Sequence, residues 1–314
     1  MTLNIGPKSR VAAVIVTFKP NVGRLREVLQ ATQVQVDHTY IVDNGDGTLV
    51  SQFAMHTGRA LLTMGENRGI AAAQNAGVAK ALSDGFTDVL LLDQDSIPAP
   101  DLVRHLIEAR EKDPFGSESI GAVGAATCGT HGIDGFTRIG IGRFERLVTT
   151  STGGTVDCDL LIASGCLISA RIWSEVGHMD EPLFIDKVDT DWCLRARHLG
   201  YRVLGVPDAR LEHRLGTRRV RFWLGRWREM PIHDASRYYY MVRNSLLIWR
   251  RPHATWRWIF ADVNFLLQLL AAVLIAGVAG RAARYAALDG IADGCRGVTG
   301  RWSGQQAHKR THDE

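Results

Sequence analysis

The chain has 314 residues, 46% of them hydrophobic, enough for one large domain or two smaller ones and too apolar for a disordered chain. Its five cysteines form no CxxC pair and no His/Cys cluster with zinc spacing, which argues against a zinc module and for reduced thiols in a cytoplasmic protein. The net charge of +4 conceals an asymmetry: Arg210 to Trp258 holds twelve arginines, three acids and no lysine, a local +9 that leaves −5 for the rest. The same block carries five of the eight tryptophans. Arginine interleaved with tryptophan fits a nucleic-acid surface or a contact at membrane headgroup level, and the apolar sequence that follows favours the membrane. No nucleic-acid partner is expected. The opening MTLNIGPKSR lacks an apolar core of signal-peptide length, so no export is expected.

Val11 to Phe18 is a continuous apolar run stopped by Lys19-Pro20-Asn21 and predicts a buried first strand. Val22, Leu25, Val28, Leu29 and Thr32 fall at helical spacing. Tyr40-Ile41-Val42 predicts a second strand, ending in Asp43-Asn44-Gly45, and Leu61 to Met64 a third, followed by Asn67-Arg68-Gly69. Ala71 to Leu82 reads as a helix in which Asn75 and Gly77 let another backbone approach. Val89 to Leu92 is a fourth apolar strand that delivers Asp93 and Asp95 at its end. Residues i and i+2 of an extended chain point the same way, so the two carboxylates converge as hard oxygen ligands for a divalent cation, or else they cap a turn before Pro98. In a parallel βαβ sheet, Thr17-Phe18, Asp43, Asn67-Arg68 and Asp93/Asp95 all lie on the carboxyl-end rim, where ligands bind. Neither GxGxxG nor GxxxxGK[ST] is present, so side chains rather than a glycine loop would hold a nucleotide.

A helix is expected near Asp101 to Lys112, and short strands and loops from Gly121 to Gly154. Leu160 to Ile168 reads as a buried strand interrupted at Ser164-Gly165, with Cys166 an inert thiol or, less simply, a nucleophile. Asp180 to Arg197 is rich in acids and turns helical from Asp189, which reads as an N-cap or as a general base facing the rim. Tyr201 to Pro207 is the last strand expected, with His213 beyond it. Tyr238 to Asn244 sits on a helix, as an aromatic core stripe or an acceptor surface. Phe265 to Gly280 is sixteen mostly apolar residues, short for a membrane span of about 20, and reads as an interfacial or buried helix. Thr299 to Glu314 is expected to be disordered.

The series VIVTFKP, VDNG, ENRGIAAAQNAG, LLLDQDS, IASGCLI, FIDKVDTDWCLRA and LEHRLG, in this order, resembles the inverting nucleotide-sugar glycosyltransferases of family 2, which have the GT-A fold. LLLDQDS, LFIDKVDTDW, LEHRLGTRR and RYYYMVRNSLL are similar, more narrowly, to bacterial rhamnosyltransferases of O-antigen and rhamnolipid assembly. The resemblance covers about residues 11 to 250. It implies an α/β fold, a GT-A (Rossmann-like) mixed, mostly parallel sheet with flanking helices, plus a C-terminal helical membrane-associating segment. The corresponding division is residues 1–215 for the nucleotide-sugar-binding and catalytic domain, 216–298 for a helical acceptor and membrane region, and 299–314 for the tail.

The resemblance also assigns roles. Thr17, Phe18, Asp43, Asn67, Arg68 and Asp93 would contact the donor, expected to be dTDP-L-rhamnose. Asp93 and Asp95 form the DxD pair for Mg²⁺ or Mn²⁺, with His213 a further ligand. Asp189 takes the base position of the family's "ED" motif, although Val188 stands where many relatives have Glu, and Asp191 would support it. Ser164, Gly165, Trp192, Tyr239, Arg243 and Asn244 are expected on the acceptor side. The implied acceptor is a glycolipid or lipid-linked saccharide, at the cytoplasmic membrane surface, with a peripheral or monotopic protein on its inner face; homo-oligomerisation is left open. Another nucleotide sugar, such as galactofuranose or a hexose, and a non-catalytic binding protein on this scaffold are the competing readings.

Overall fold

The computed structural model describes residues 9–48, 53, 59–129, 132–133, 135–148, 153–212, 219–223 and 227–304. The strands are β1 (Val11–Thr17), β2 (His38–Asp43), β3 (Arg59–Thr63), β4 (Asp88–Asp93), β5 (Ile97–Pro98), β6 (Ile120–Gly129), β7 (Gly132–Ile133), β8 (Phe136–Ile139), β9 (Phe144–Leu147), β10 (Val156–Cys158), β11 (Cys166–Ser169), β12 (Arg202–Glu212), β13 (Arg219–Trp223) and β14 (Trp227–Pro231). The helices are α1 (Val22–Gln33), α2 (Ile70–Ser83), α3 (Leu102–Glu111), α4 (Ala170–Val176), α5 (Val188–His198), α6 (Ala235–Ile248), α7 (Trp256–Leu270) and α8 (Gly280–Arg296).

The main sheet runs β10-β12-β6-β11-β4-β1-β2-β3, with β5 added on β12 and β7 on β6. β1 lies parallel to β2 and β4, and β2 parallel to β3; β11 runs antiparallel between β4 and β6, β12 is parallel to β6, and β10 and β5 on β12 and β7 on β6 pair antiparallel. The expected mixed, mostly parallel sheet with flanking helices is therefore present. Its apolar strands alternate between two cores. Val14, Val16, Tyr40 and Leu91 face Val78 of α2, Ile172 and Trp173 of α4 and Trp192 of α5, while Ile15, Ile41, Leu90 and Leu92 face Leu25 and Leu29 of α1 and Leu102 and Leu106 of α3. Period-two strands buried on both faces read as unbroken apolar runs, which is why β1 and β4 stood out in the sequence. Gly77 lets α2 lie against the sheet, since a Cβ there would sit 2.4 Å from Val14 Cγ1 and 2.8 Å from Val42 Cγ2.

Four expectations need correction. Residues 160–165 are not strand: β11 begins at Cys166, after Gly165 turns the chain at φ 83°, and Ile162 is 43% exposed. β6 is a ten-residue central strand where only short ones were expected. β12 does not stop at Pro207 but runs on to Glu212, because the register shift between Val206 and Arg210 accommodates the missing amide. The apolar helix starts at Trp256, not Phe265, and with the π-turn Ala271–Ile275 it is twenty residues, long enough by length and composition to cross a membrane. Gly280 then opens α8 rather than closing the apolar segment.

The region after residue 215 is not helical throughout, since the hairpin β13–β14 precedes α6. Nor does it stand apart, because Ile248 and Trp258 belong to the same core as the sheet. α6 packs on α8, and Tyr238, Val242, Leu266, Leu269, Val273, Ala283 and Ala287 form their shared core with α7. Residues 299–304 are docked rather than loose. The Gly300 amide donates to Pro182 O (2.7 Å), the Trp302 amide donates to the Tyr240 hydroxyl (2.8 Å), and the Trp302 ring stacks on Tyr239 at 5.0 Å. Residues 305–314 of the expected tail lie outside the described residues.

Candidate active site

A cavity of about 630 Å³ opens at the carboxyl ends of β1 and β4. Its walls come from Val16 and Phe18, Asn44, Asn67, Gly69, Ile70 and Gln74, Asp93 to Asp95, Gly135 to Thr137, Leu160 to Ser164, Phe184 to Asp189, and Arg237, among others. Parallel strands that carry ligand groups on their carboxyl ends produce this placement directly.

On one side, side chains fix the loops after the strands. The Thr17 hydroxyl donates to Asp43 Oδ1 (3.0 Å), and Asp43 Oδ2 accepts from the Gly47 amide (2.6 Å). Asn44 Nδ2 donates to Asn67 Oδ1 (3.1 Å), and Asn44 Oδ1 accepts from the Arg68 amide (2.8 Å). The Phe18 amide donates to Gln94 Oε1 (2.8 Å), and Gln94 Nε2 returns a bond to Phe18 O (3.2 Å). Thr17 and Asp43 are thus buried supports of the rim rather than parts of the cavity wall, and the Arg68 side chain is exposed outside it. Phe18, Asn67, Asp93 and Asp95 do line the cavity, as do Asn44 and Gln94, which sequence reasoning had passed over.

Asp93 and Asp95 emerge at the end of β4, and the Asp93 amide donates to Ser164 Oγ (3.0 Å). Two carboxylates on one cavity wall are a suitable hard-oxygen donor set for Mg²⁺ or Mn²⁺, to be completed by phosphate oxygens and water. Among the described residues no cluster of three or more His, Cys, Asp or Glu side chains has metal-binding geometry. His213 lies outside the described residues.

Across the cavity, the segment before α5 has an unusual backbone: Phe184, Asp186 and Lys187 adopt φ of 65°, 62° and 59°. Left-handed conformations in such side chains persist only where surrounding contacts hold them. Here three helices do so. From α2, the Ile70 amide donates to Phe184 O (2.8 Å). From α6, Asn244 Nδ2 lies within hydrogen-bond distance of Leu183 O (3.0 Å), Ile185 O (2.8 Å) and Asp186 O (2.8 Å), and Arg243 Nη2 donates to Leu183 O (2.8 Å). Arg237, also from α6, forms a two-pronged pair with Asp186. From α7, the buried Asp262 pairs with Lys187 and accepts the Trp249 indole N–H (2.8 Å).

This support delivers Asp189 to the cavity from the first turn of α5. It is not the N-cap, a position taken by Lys187; its Oδ1 instead accepts from the Thr190 amide (2.7 Å). Burial raises the Asp189 carboxyl above the ordinary aspartate range, the nearby Asp186 charge adds to this, and the amides of Thr190 and Ala163 oppose it. For Arg237, burial alone would lower the guanidinium, but Asp186, Asp189 and Asp93 outweigh it and hold it above its ordinary value. Three acids from two chain segments therefore share one arginine's field.

The other expected residues are elsewhere. Asp191 is fully buried on the far side of α5, held by Arg195 Nε (3.0 Å), Arg251 Nη1 (2.7 Å) and His253 Nε2 (2.8 Å). Trp192 is core, its indole N–H donating to Gly177 O (2.9 Å). Gly165 packs against Leu211 and Ala125, and Tyr239 is buried with its hydroxyl donating to Asp293 Oδ2 (2.9 Å). Arg243 and Asn244 back the loop and do not line the cavity, so of the acceptor-side group only Ser164 reaches it. Burial also pushes the Cys166 thiol well above its ordinary range, which leaves it inert as a nucleophile. Asp186 and Lys187 were visible within the acid-rich segment, and Arg237 opens the RYYY motif, yet only the fold brings them together.

Residues 13–135 match Glycosyl transferase family 2. Over 295 residues, the chain is 31% identical to dTDP-rhamnosyl transferase RfbF of Shigella flexneri, an alignment covering 93% of this chain and 97% of that one. Among solved structures, TarS residues 1–349 of S. aureus is similar at a TM-score of 0.54 and 13% identity, covering 91% of this chain and 80% of that one. GalNAc-T7, solved with UDP, GalNAc and Mn²⁺, gives a TM-score of 0.54 and 14% identity, over 65% of this chain and 43% of its own. These two likenesses concern the fold, and they match the GT-A architecture described above. The near full-length identity to RfbF, together with the family match over the strands that build the rim, makes this chain a glycosyltransferase of family 2.

Proposed function

We propose that the chain transfers L-rhamnose from dTDP-L-rhamnose to a hydroxyl of a glycolipid or lipid-linked saccharide, with inversion and with a divalent metal. The carrying observation is that the Asp93/Asp95 pair after β4 and Asp189 at the start of α5 line one cavity in a family 2 chain. Asp93 and Asp95 would hold Mg²⁺ or Mn²⁺, which when bound offsets charge on the leaving diphosphate. Asp189 takes the proton from the acceptor hydroxyl as it attacks the anomeric carbon on the face opposite the leaving group. Burial raises its proton affinity, the direction a general base needs. A single displacement inverts the configuration and needs no covalent enzyme intermediate, in keeping with the inert Cys166. The nucleoside falls to the Phe18, Asn44 and Asn67 side.

The donor assignment is supported by the name of the Shigella relative. Release of nucleoside diphosphate, measured over a panel of nucleotide sugars with and without EDTA, tests it. Turnover of another donor with none from dTDP-rhamnose overturns the sugar, and full activity in EDTA overturns the metal.

The acceptor's lipid character is supported by the outer face of α7 and its π-turn, where Trp256, Phe260, Leu267 and Ile275 are 63%, 53%, 61% and 75% exposed. Arg257 lies over Trp256 at 5.5 Å, and on the hairpin Trp223 and Trp227 are exposed with Arg221 over Trp227 at 5.5 Å. Apolar and aromatic side chains accompanied by arginine fit an anionic bilayer surface, here the inner face of the cytoplasmic membrane. Co-sedimentation with vesicles containing anionic phospholipid should retain the protein, and Trp256→Ser with Phe260→Ser should release it. Equal recovery with and without vesicles counts against the membrane.

A further inference from the structure

Gln74 stands one turn into α2 and is 4% exposed, yet it lines the cavity. Its side-chain oxygen is buried with no hydrogen-bond partner. Five buried side-chain atoms lack partners among the described residues, and of their five residues only Gln74 belongs to the cavity wall. The adjacent Asn75 shows the contrast. Its Nδ2 donates to Met179 O (2.9 Å) and Glu181 Oε1 (2.9 Å), and its Oδ1 accepts from the Met179 amide (2.9 Å). Asn75 is a structural clamp, whereas the Gln74 side-chain oxygen has no partner among the described residues. A buried amide left unmatched destabilises a fold, so its presence in a binding cavity points to a partner that arrives with the substrate.

Position narrows that partner. Gln74 and Ile70 are four residues apart and share one helix face, and the Ile70 amide is bonded to Phe184 O, so the amide looks out between α2 and the loop leading to Asp189. Beneath α2, Val16 of β1 also lines the cavity and pairs in register with Asp93. Gln74 therefore shares with the DxD acids and the base the one cavity in which an interval between leaving group and base must lie. In an inverting transfer that interval holds the sugar ring, because the leaving diphosphate and the attacking hydroxyl occupy its opposite faces. Ile70, Val16 and Phe184 offer apolar surface around a single polar group, a setting that takes a sugar through one hydroxyl and the carbon face of its ring.

Resting on the reading of this cavity as a nucleotide-sugar site, we infer that Gln74 is a specificity residue that hydrogen-bonds a hydroxyl of the transferred sugar. It touches neither the nucleotide nor the proton in flight.

The test uses Gln74→Met, which keeps length and apolar volume, with whichever nucleotide sugar the wild type turns over. The variant should melt about 2 °C or more above wild type, since an unmatched buried carbonyl is gone. Its kcat/KM for the donor should nevertheless fall roughly 10- to 100-fold. Binding of the free nucleoside diphosphate, measured by calorimetry, should be unchanged. Donor analogues lacking one hydroxyl at a time should include one that costs the wild type a similar factor and costs Gln74→Met nothing further. Unchanged kcat/KM, a lowered melting temperature, weakened diphosphate binding or losses that add for every analogue would each overturn the inference. A wild type that turns over a sugar other than rhamnose leaves it standing, and so separates it from the donor assignment.

Discussion

The sharpest consequence of the structure concerns Asp262, a carboxylate in the middle of an apolar helix. It is fully buried, its Lys187 partner is 13% exposed at the side chain, and the Lys187 ammonium faces the Trp258 and Phe265 rings at 5.5 Å each. Asp262→Leu removes the only carboxylate paired with Lys187 among the described residues and also orphans the Trp249 indole. Leaving one buried partner of an ion pair alone costs about 3 to 5 kcal/mol, to which the lost indole bond adds about 1 kcal/mol. The ammonium already faces the two rings with Asp262 in place, so that attraction returns nothing, and a net loss of about 4 to 6 kcal/mol is expected. Lys187→Met combined with Asp262→Leu should recover most of it, because an apolar pair of similar volume replaces a desolvated one at little cost. Urea unfolding followed by tryptophan fluorescence gives the two values. Turnover should separate from stability: Lys187 ends the left-handed segment before Asp189, so the double variant regains stability while keeping a turnover below wild type by about tenfold or more. Asp262→Leu within about 1 kcal/mol of wild type, or a double variant no more stable than the single, would refute the reasoning.

Asp189→Asn should abolish transfer and be at least as stable as wild type at pH 7. A carboxyl raised by burial binds its proton more tightly folded than unfolded, so it contributes stability below the ordinary aspartate value and loses it as pH rises through the folded one. Thermal melts at pH 4 and 7 check the sign, and the acid limb of kcat in wild type should lie above the ordinary aspartate range. Asp191→Asn should behave in the opposite way. Burial is outweighed there by the His253 hydrogen bond and the Arg251 and Arg195 charges, which hold its proton affinity low, so its contribution is present above the ordinary value and lost as pH falls through the lowered one. Its substitution should cost about 3 to 5 kcal/mol in urea unfolding while the folded fraction keeps its KM. Asn244→Leu withdraws the amide from three carbonyls of the loop, and should lower kcat more than donor KM in steady-state assays.

What the sequence made legible follows from what is local. Apolar runs ended by polar residues located β1, β2 and β4 and the two acids after β4, but β4 ends at Asp93 and the chain turns at Gln94 and Asp95, so Asp95 reaches the cavity from a turn and not by strand parity. Asp189 was found by its place at a helix start beside other acids. The residues that were misplaced act through partners far away in the chain. Arg243 and Asn244 have the spacing of an acceptor surface on a helix, but the carbonyls they bind lie about sixty residues upstream, where |i−j| runs from 58 to 61. Residues 160–165 have strand composition, and only the left-handed Gly165 reveals that the chain turns there. The start of α7 was hidden because Arg257 and Asp262 interrupt the apolar pattern, and the packing that makes an inward aspartate acceptable is a Lys on another element. Gln74 reads as an ordinary helix former until its missing partner is seen.

Among the cavity's acids, Asp186 is paired directly with an arginine, Arg237. Asp93, Asp95, Asp186 and Asp189 line it, with Arg146, Lys187 and Arg237 as cations. Lys187 is engaged by Asp262, outside the wall, so it offsets little within. Two unit charges 4 Å apart interact by about 4 kcal/mol at an effective dielectric of about 20, which would make such a wall repel a diphosphate strongly. Arg237 answers for Asp186 directly and extends its field to Asp93 and Asp189. A divalent cation on Asp93 and Asp95 would cancel their two negative charges and remove that repulsion toward phosphate oxygens. What is left over is Asp189, which has amide donors but no ion pair among the described residues. A carboxylate desolvated and kept from a permanent counter-ion, beside acids that already have theirs, is the one that gains most by taking a proton. That difference in pairing, more than its position at the start of α5, separates Asp189, the proposed base, from Asp191 two residues on, which is fully buried with three cationic or hydrogen-bonding partners.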